Sequence, residues 1–183
     1  MAERDLVLHH LRASRERLLQ AAGSLSAEQR CFRPAEDRWS VADCVEHLVI
    51  VENFILGSIK RVLATPPEPA KRSEVQGKEQ VILERVPARN IRVKGPEAVM
   101  PTQRWPQFDD LLREFETTRQ RTMSFASETQ ADLKFHFFPH PILGDFDCYQ
   151  WLLFVGTHSE RHVRQMEEVK SCEGFPQARA AAT

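Results

Sequence analysis

The chain has 183 residues, of which 42% are apolar and 28% charged. That is ordinary for a soluble globule, and the length suffices to bury a core without staples. The 25 Lys+Arg against 26 Asp+Glu leave a net charge of −1. A polyanion binder of this size carries a basic excess, so nucleic acid is disfavoured as a partner. No run approaches the roughly 18 apolar residues of a membrane span; the longest, Trp151 to Val155, is core-sized. Glu3, Arg4 and Asp5 interrupt the N-terminus, which does not read as a secretory signal. The four cysteines, at 31, 44, 148 and 172, lack C-x-x-C spacing. The expectation is a cytoplasmic protein with reduced thiols.

Four segments carry helical periodicity. The first runs from about Arg4 to Ala22, with Leu8, Leu11, Leu18, Ala22 and Leu25 as its apolar stripe. Ser26-Ala27-Glu28-Gln29 follows as a small capping box. The second helix starts at Ser40, an N-cap with Asp43 at N3 and Trp39 and Cys44 at the staple positions. It continues until Thr65-Pro66-Pro67 stops it.

Residues 65–105 are rich in proline and read as a long irregular connection, in which VILERV and NIRVKG could be short extended pieces. The bland reading is a floppy crossover and the sharper one a lid. The third helix is expected from Pro106, at N1, to about Glu128, with Phe108, Leu111, Leu112, Phe115 and Met123 on its apolar face. The turn FPHPILG leads to the fourth helix, capped by Asp147 with Gln150 at N3 and Phe146 as staple. Trp151, Leu152, Val155, His158, His162, Gln165 and Val169 share one side of it. The pattern predicts an all-α protein, a four-helix bundle forming one domain over 1–172, with 173–183 as a disordered tail.

The chemistry lies in three histidines. His158 and His162 are four apart, a helical offset of about 40° and 6 Å, so both imidazoles can reach one point. Two histidines so spaced are a recurrent half-site for zinc or nickel. His47 sits in the middle of the second helix, which a bundle can bring beside the fourth. Three imidazoles leave a tetrahedral metal one open position, as in catalytic sites. The competing reading is core or surface histidines at coincidental spacing.

HSERH is not the H-E-x-x-H of metalloproteases. Glu160, two residues on, rotates about 200° off the metal face, so a zincin-type peptidase is disfavoured. Cys44 could add a thiolate, but reads better as a small buried hydrophobe. Gln165 could hold a water or ligand near the metal, or cap the interior. Glu46 and Glu52 rotate off the His47 face and are expected to be solvated or to support the site from behind. His9 and His10 read as surface residues and His136 as a loop residue, while His140 could orient the turn or approach the site.

RPAEDRWSVADCVEHL, IRVKGPEAVMPTQRW and FPHPILGDFDCYQWLLFVGTHSERHVRQME, in this order, resemble the DinB-like family. Its members are also described as metal-dependent hydrolases of the YfiT-like type. The resemblance covers nearly the whole chain. It implies a four-helix bundle with a metal held by three histidines, which match His47, His158 and His162 here. It also implies a metal that activates water or a low-molecular-weight thiol, in a hydrolase or a thiol-dependent S-transferase or isomerase. The substrate would be an unidentified small molecule. The divalent ion would be zinc or nickel, with iron or manganese also accommodated by an all-imidazole site. Family members are often homodimers, through bundle faces. No acid or base stands out beside the triad. The reading from another class is therefore a non-catalytic metal-containing bundle that binds a ligand or partner under stress.

Overall fold

The computed structural model describes residues 3–90 and 95–177. Helix α1 (Glu3–Ala22) precedes the short α2 (Ala27–Cys31) and the long α3 (Val41–Val62). Helices α4 (Arg72–Val75) and α5 (Lys78–Arg85) lie in the connection to α6 (Phe108–Glu128). Strands β1 (Phe137–His140) and β2 (Gly144–Asp147) lead into α7 (Cys148–Lys170).

Each of the three expected capping boxes is made. The Ser26, Ser40 and Asp147 side chains accept the backbone N–H of Gln29, Asp43 and Gln150, and those side chains in turn accept the cap N–H. Two orphan amides at each start are thus satisfied locally. Helix α6 begins at Phe108 with Gln107 as its cap, two residues later than Pro106 would place it. Among the described residues no helix is long and apolar enough to cross a membrane.

The four long helices α1, α3, α6 and α7 form a four-helix bundle. α7 packs on α1 and α3, and α6 packs on the other side of both. α7 is the innermost: every residue from Cys148 to Thr157 is buried. The tightest crossing is at Gly156, where an added Cβ would lie 2.8 Å from His10 Cβ and 3.0 Å from the His10 carbonyl carbon. Gly156→Ala therefore forces α1 and α7 apart, although alanine is the better helix former. The expected result is a net loss on the order of 1 kcal/mol, seen as a lower urea midpoint at unchanged slope. An unchanged or higher midpoint would show that the crossing gives way freely.

The core falls into two apolar clusters. One gathers Leu11, Ile55, Leu152 and Val155 with the aromatic residues around the hairpin. The other gathers Leu18, Leu48, Phe115, Val163 and Met166. Between them lies a polar layer to which each long helix contributes one residue: Ser14, Glu52, Arg119 and Ser159. Arg119 and Ser159 are fully buried, and Glu52 is nearly so.

The connection differs from its sequence reading. VILERV is not extended but lies mostly in α5, with Ile82 fully buried. Ile91–Lys94 of NIRVKG fall outside the described residues. Over the described residues the crossover is clamped, not floppy. Arg72 pairs with Asp147 at 2.7 Å, and Gln150 Nε2 donates to the Val75 carbonyl at 2.8 Å. Lys78 Nζ donates to the carbonyls of Leu143 and Asp145, and Arg161 to those of Val86 and Ala88.

The turn into α7 is a two-stranded antiparallel hairpin that the sequence did not announce, with Phe137 opposite Asp147 and His140 opposite Gly144. Phe138 stacks on Trp151 at 4.4 Å between ring centroids, and Trp151 Nε1 donates to the Phe138 carbonyl. Of the tail, Phe175 packs edge-on against Phe32, and the Pro176 carbonyl accepts from Gln29 Nε2 at 2.9 Å. Residues 178–183 lie outside the described residues.

Candidate metal centre

His47 projects from the second turn of α3, and His158 and His162 from successive turns of α7. The structure brings all three together, with ring centroids 4.6 to 5.2 Å apart. One nitrogen from each ring lies within 4.8 Å of the others. His158 Nε2 and His162 Nε2 are 3.1 Å apart. Zinc bound to imidazoles at its usual length sets tetrahedral ligand nitrogens about 3.3 Å apart, so this pair already has the spacing of two ligands.

The histidines are held in place from behind. Phe154 stacks on His158 at 5.0 Å and 15°, and Trp39 stacks on His162 at 5.7 Å and 21°. Trp39, expected only as a staple residue, also meets the His47 ring at 4.8 Å. His47 Nδ1 donates to the Val99 carbonyl at 2.7 Å, which leaves the Nε2 lone pair free to face the cluster.

Burial pushes His47 down to about 4, against the opposing effect of the Val99 carbonyl. Burial also holds His158 and His162 well below the ordinary histidine range, helped by the neighbouring imidazoles and by Arg161. All three rings are therefore neutral near pH 7, as metal ligation requires. Among the described residues the buried His162 Nδ1 has no hydrogen-bond partner. Three neutral imidazoles with one nitrogen each this close together fit a divalent ion with nitrogen preference.

Other sequence readings come out differently. Glu46 and Glu52 are not solvated; both are buried on α3. Glu46 accepts the backbone N–H groups of Thr102, Gln103 and Arg104, and Glu52 pairs with Arg119. Gln165 Oε1 accepts from Arg89, whose guanidinium also forms a two-pronged pair with Glu168. Glu160 points away as expected and pairs with Arg17 and Arg164. Cys44 is buried in the apolar cluster below, and burial pushes its thiol up.

His9 is exposed, but His10 is half-buried at the α1–α7 crossing. His136 is buried, with its ring nitrogens 3.0 Å and 3.2 Å from the carbonyls of Asp132 and Thr65. His140 stays out of the triad and orients the hairpin turn. Its Nδ1 accepts from the amides of Ile142 and Leu143. What sequence reasoning missed are the Val99 carbonyl and the Arg89 clamp. A backbone oxygen has no sequence signal, and a lone arginine in a long connection has little.

Comparison with known proteins places the fold. YuaE from Bacillus subtilis (strain 168), described as uncharacterized, is 27% identical over 147 residues, 80% of this chain and 86% of YuaE. The solved structure of YfiT from Bacillus subtilis, described as a probable metal-dependent hydrolase with an unusual four-helix bundle topology, superposes with a TM-score of 0.62 at 16% identity. That match covers 91% of this chain and 85% of YfiT. TT2238, described as a four-helix bundle protein, superposes with a TM-score of 0.52 at 20% identity, over 90% of this chain and 98% of TT2238. At these identities the two structures speak for the fold alone. The family pattern itself matches residues 10–166, most of the chain, and so this protein belongs to the DinB superfamily.

Proposed function

We propose that this protein is a metal-dependent enzyme whose ion is held by His47, His158 and His162. It would act as a hydrolase or a thiol-dependent S-transferase on a small electrophilic substrate. The observation that carries the reading is the convergence of three neutral, inward-facing imidazoles from two helices, with their nitrogens within 4.8 Å. The description of YfiT as a probable metal-dependent hydrolase supports it.

A divalent ion bound there supplies a Lewis acid that makes water or a thiol more acidic. The chain's own residues prepare the place. Val99 holds the His47 tautomer, and Trp39 and Phe154 keep water from the backs of the rings. The carboxylates of Glu46, Glu52, Glu160 and Glu168 are all engaged elsewhere, so none of these four stands ready to take a proton at the triad. On this reading residues 1–172 form one catalytic domain working in the cytoplasm.

The engagement of these four carboxylates also favours a second reading, a non-catalytic metal-containing bundle that binds a ligand or partner. Elemental analysis of protein purified without a nickel column tests the site. Near-stoichiometric metal in the wild type, lost in His47→Ala and His158→Ala, is the expected result. Absence of metal after incubation with zinc would overturn both readings. A cobalt-loaded sample then separates them. A visible spectrum shifted by added azide or a small thiol marks an open position and the enzyme; an unresponsive one marks the closed, non-catalytic site.

A further inference from the structure

We propose that Glu46 is a positioning residue for the metal centre, acting on His47 through the Val99 carbonyl; this rests on the metal reading above. Glu46 and His47 are adjacent on α3, so their side chains diverge by about 100°. His47 faces the triad, and Glu46 faces the returning chain at 95–105. The Glu46 side chain is buried, and among the described residues no Lys or Arg side chain forms an ion pair with it.

Its charge is instead met by three consecutive backbone amides. Thr102 and Arg104 donate to Oε1 at 2.9 Å and 3.1 Å, and Gln103 donates to Oε2 at 2.9 Å. Aiming three successive N–H groups at one carboxylate bends the chain sharply. Gln103 takes up that bend with φ +60, the left-handed region that a side chain disfavours. Beside the cradle, Arg104 Nε donates to Thr102 Oγ1 across the bend at 3.1 Å.

The consequence travels two residues. Between this cradle and Val99 stand only Met100 and Pro101, and proline fixes its own φ. On its other side Val99 closes a 3-10 turn over Glu97–Val99, with its N–H on the Pro96 carbonyl at 3.1 Å. The Val99 carbonyl is thus held between a turn and the Glu46 cradle, 2.7 Å from His47 Nδ1. Gly95 brings the same segment over the ring: a Cβ there would lie 4.0 Å from His47 Cε1. A buried glutamate next to a proposed ligand therefore serves it by the long way round, through the loop it pins.

Partners that orient a metal-bound histidine are typically worth about 10–100-fold in metal affinity. Glu46→Gln keeps the shape but turns an NH2 group toward amide donors. Glu46→Asp keeps the charge and a shortened cradle. Zinc affinity is read by competition with a chromophoric chelator. The His47 tautomer is read by 15N NMR on metal-free protein, and release of amides 102–104 by hydrogen exchange.

The expected result is faster exchange at 102–104, mixed His47 tautomers and zinc binding weaker by about 10–100-fold in Glu46→Gln, with Glu46→Asp in between. In a His47→Ala background Glu46→Gln should cost no further affinity. Released amides with an unchanged tautomer and unchanged affinity would make Glu46 a loop anchor only and overturn the proposal. If the wild type binds no zinc, the metal reading falls by itself, and the tautomer decides on Glu46. Scrambling in Glu46→Gln then upholds the positioning role, and a retained tautomer overturns it.

Discussion

Arg119→Met is expected to destabilise the protein by about 3–5 kcal/mol, because it strands a buried carboxylate in the middle of the bundle. Arg119 is fully buried and uses all five of its N–H groups. Nε and Nη2 grip Glu52 at 2.9 to 3.1 Å, and Nη2 also reaches Ser159 Oγ at 2.7 Å. Nη1 reaches the Leu11 carbonyl and Ser14 Oγ, each at 2.8 Å. One guanidinium therefore ties all four long helices at one level. Methionine fills the volume but offers no donor, and Glu52 has no other ion-pair partner among the described residues.

The companion change Glu52→Met should recover much of the loss, since two well-packed apolar residues can replace a buried ion pair at little cost. Urea unfolding of the two single variants and the double variant measures this as a cycle. Losses below about 1 kcal/mol in Arg119→Met would show that the pair behaves like a surface salt bridge. The choice of serine at 159 also becomes intelligible. It gives Arg119 an acceptor one residue from His158, while its own hydroxyl donates to the Val155 carbonyl at 3.0 Å.

Stripping the metal with a chelator is expected to lower the melting temperature of the wild type and leave His158→Ala unmoved. The three imidazoles come from positions 47, 158 and 162 and meet only in the folded chain. An ion that binds the folded state alone adds stability by mass action, about 2.7 kcal/mol when free metal is a hundred times its dissociation constant. For a chain of this length that is a shift of about 5–10 °C.

The same logic fixes the sign for the variant. His158→Ala removes one nitrogen of the closest pair, and its zinc affinity should fall by more than the roughly 100-fold that an outer partner commands. Thermal scans with zinc and with chelator, on both proteins, check this. Equal shifts in wild type and variant would place the bound ion elsewhere.

The features legible in the sequence share one property: they are local. A capping box depends on residues three apart, and all three boxes formed as read. The His158/His162 pair depends on residues four apart on one helix, and it too is present. The features that the sequence leaves open or places differently depend on what another element offers. VILERV carries β-branched residues and reads as a possible extended piece, but Ile82 finds a buried place against the bundle, and a helix of eight residues, about two turns, then suffices. On their helix Glu46 and Glu52 read either as solvated acids or as groups that support the site from behind. They are buried because a loop some 56 residues away presents three amides to one, and Arg119 of α6 meets the other. Periodicity assigns charges to the outside by default and cannot see a partner on a different helix.

The sequence by itself determined the four long helices, the capped starts at Ser40 and Asp147, the H-x3-H spacing and the membership of the chain in its family, since each rests on short-range spacing or on the pattern as a whole. The tertiary structure alone showed how close His47 comes to that pair, that its Nδ1 meets the Val99 carbonyl and that a polar layer bridges the two apolar clusters. Those contacts join groups far apart in the chain, and only when the backbone has closed the distance can burial turn an exposed acid or imidazole into a paired, neutral or ligating one.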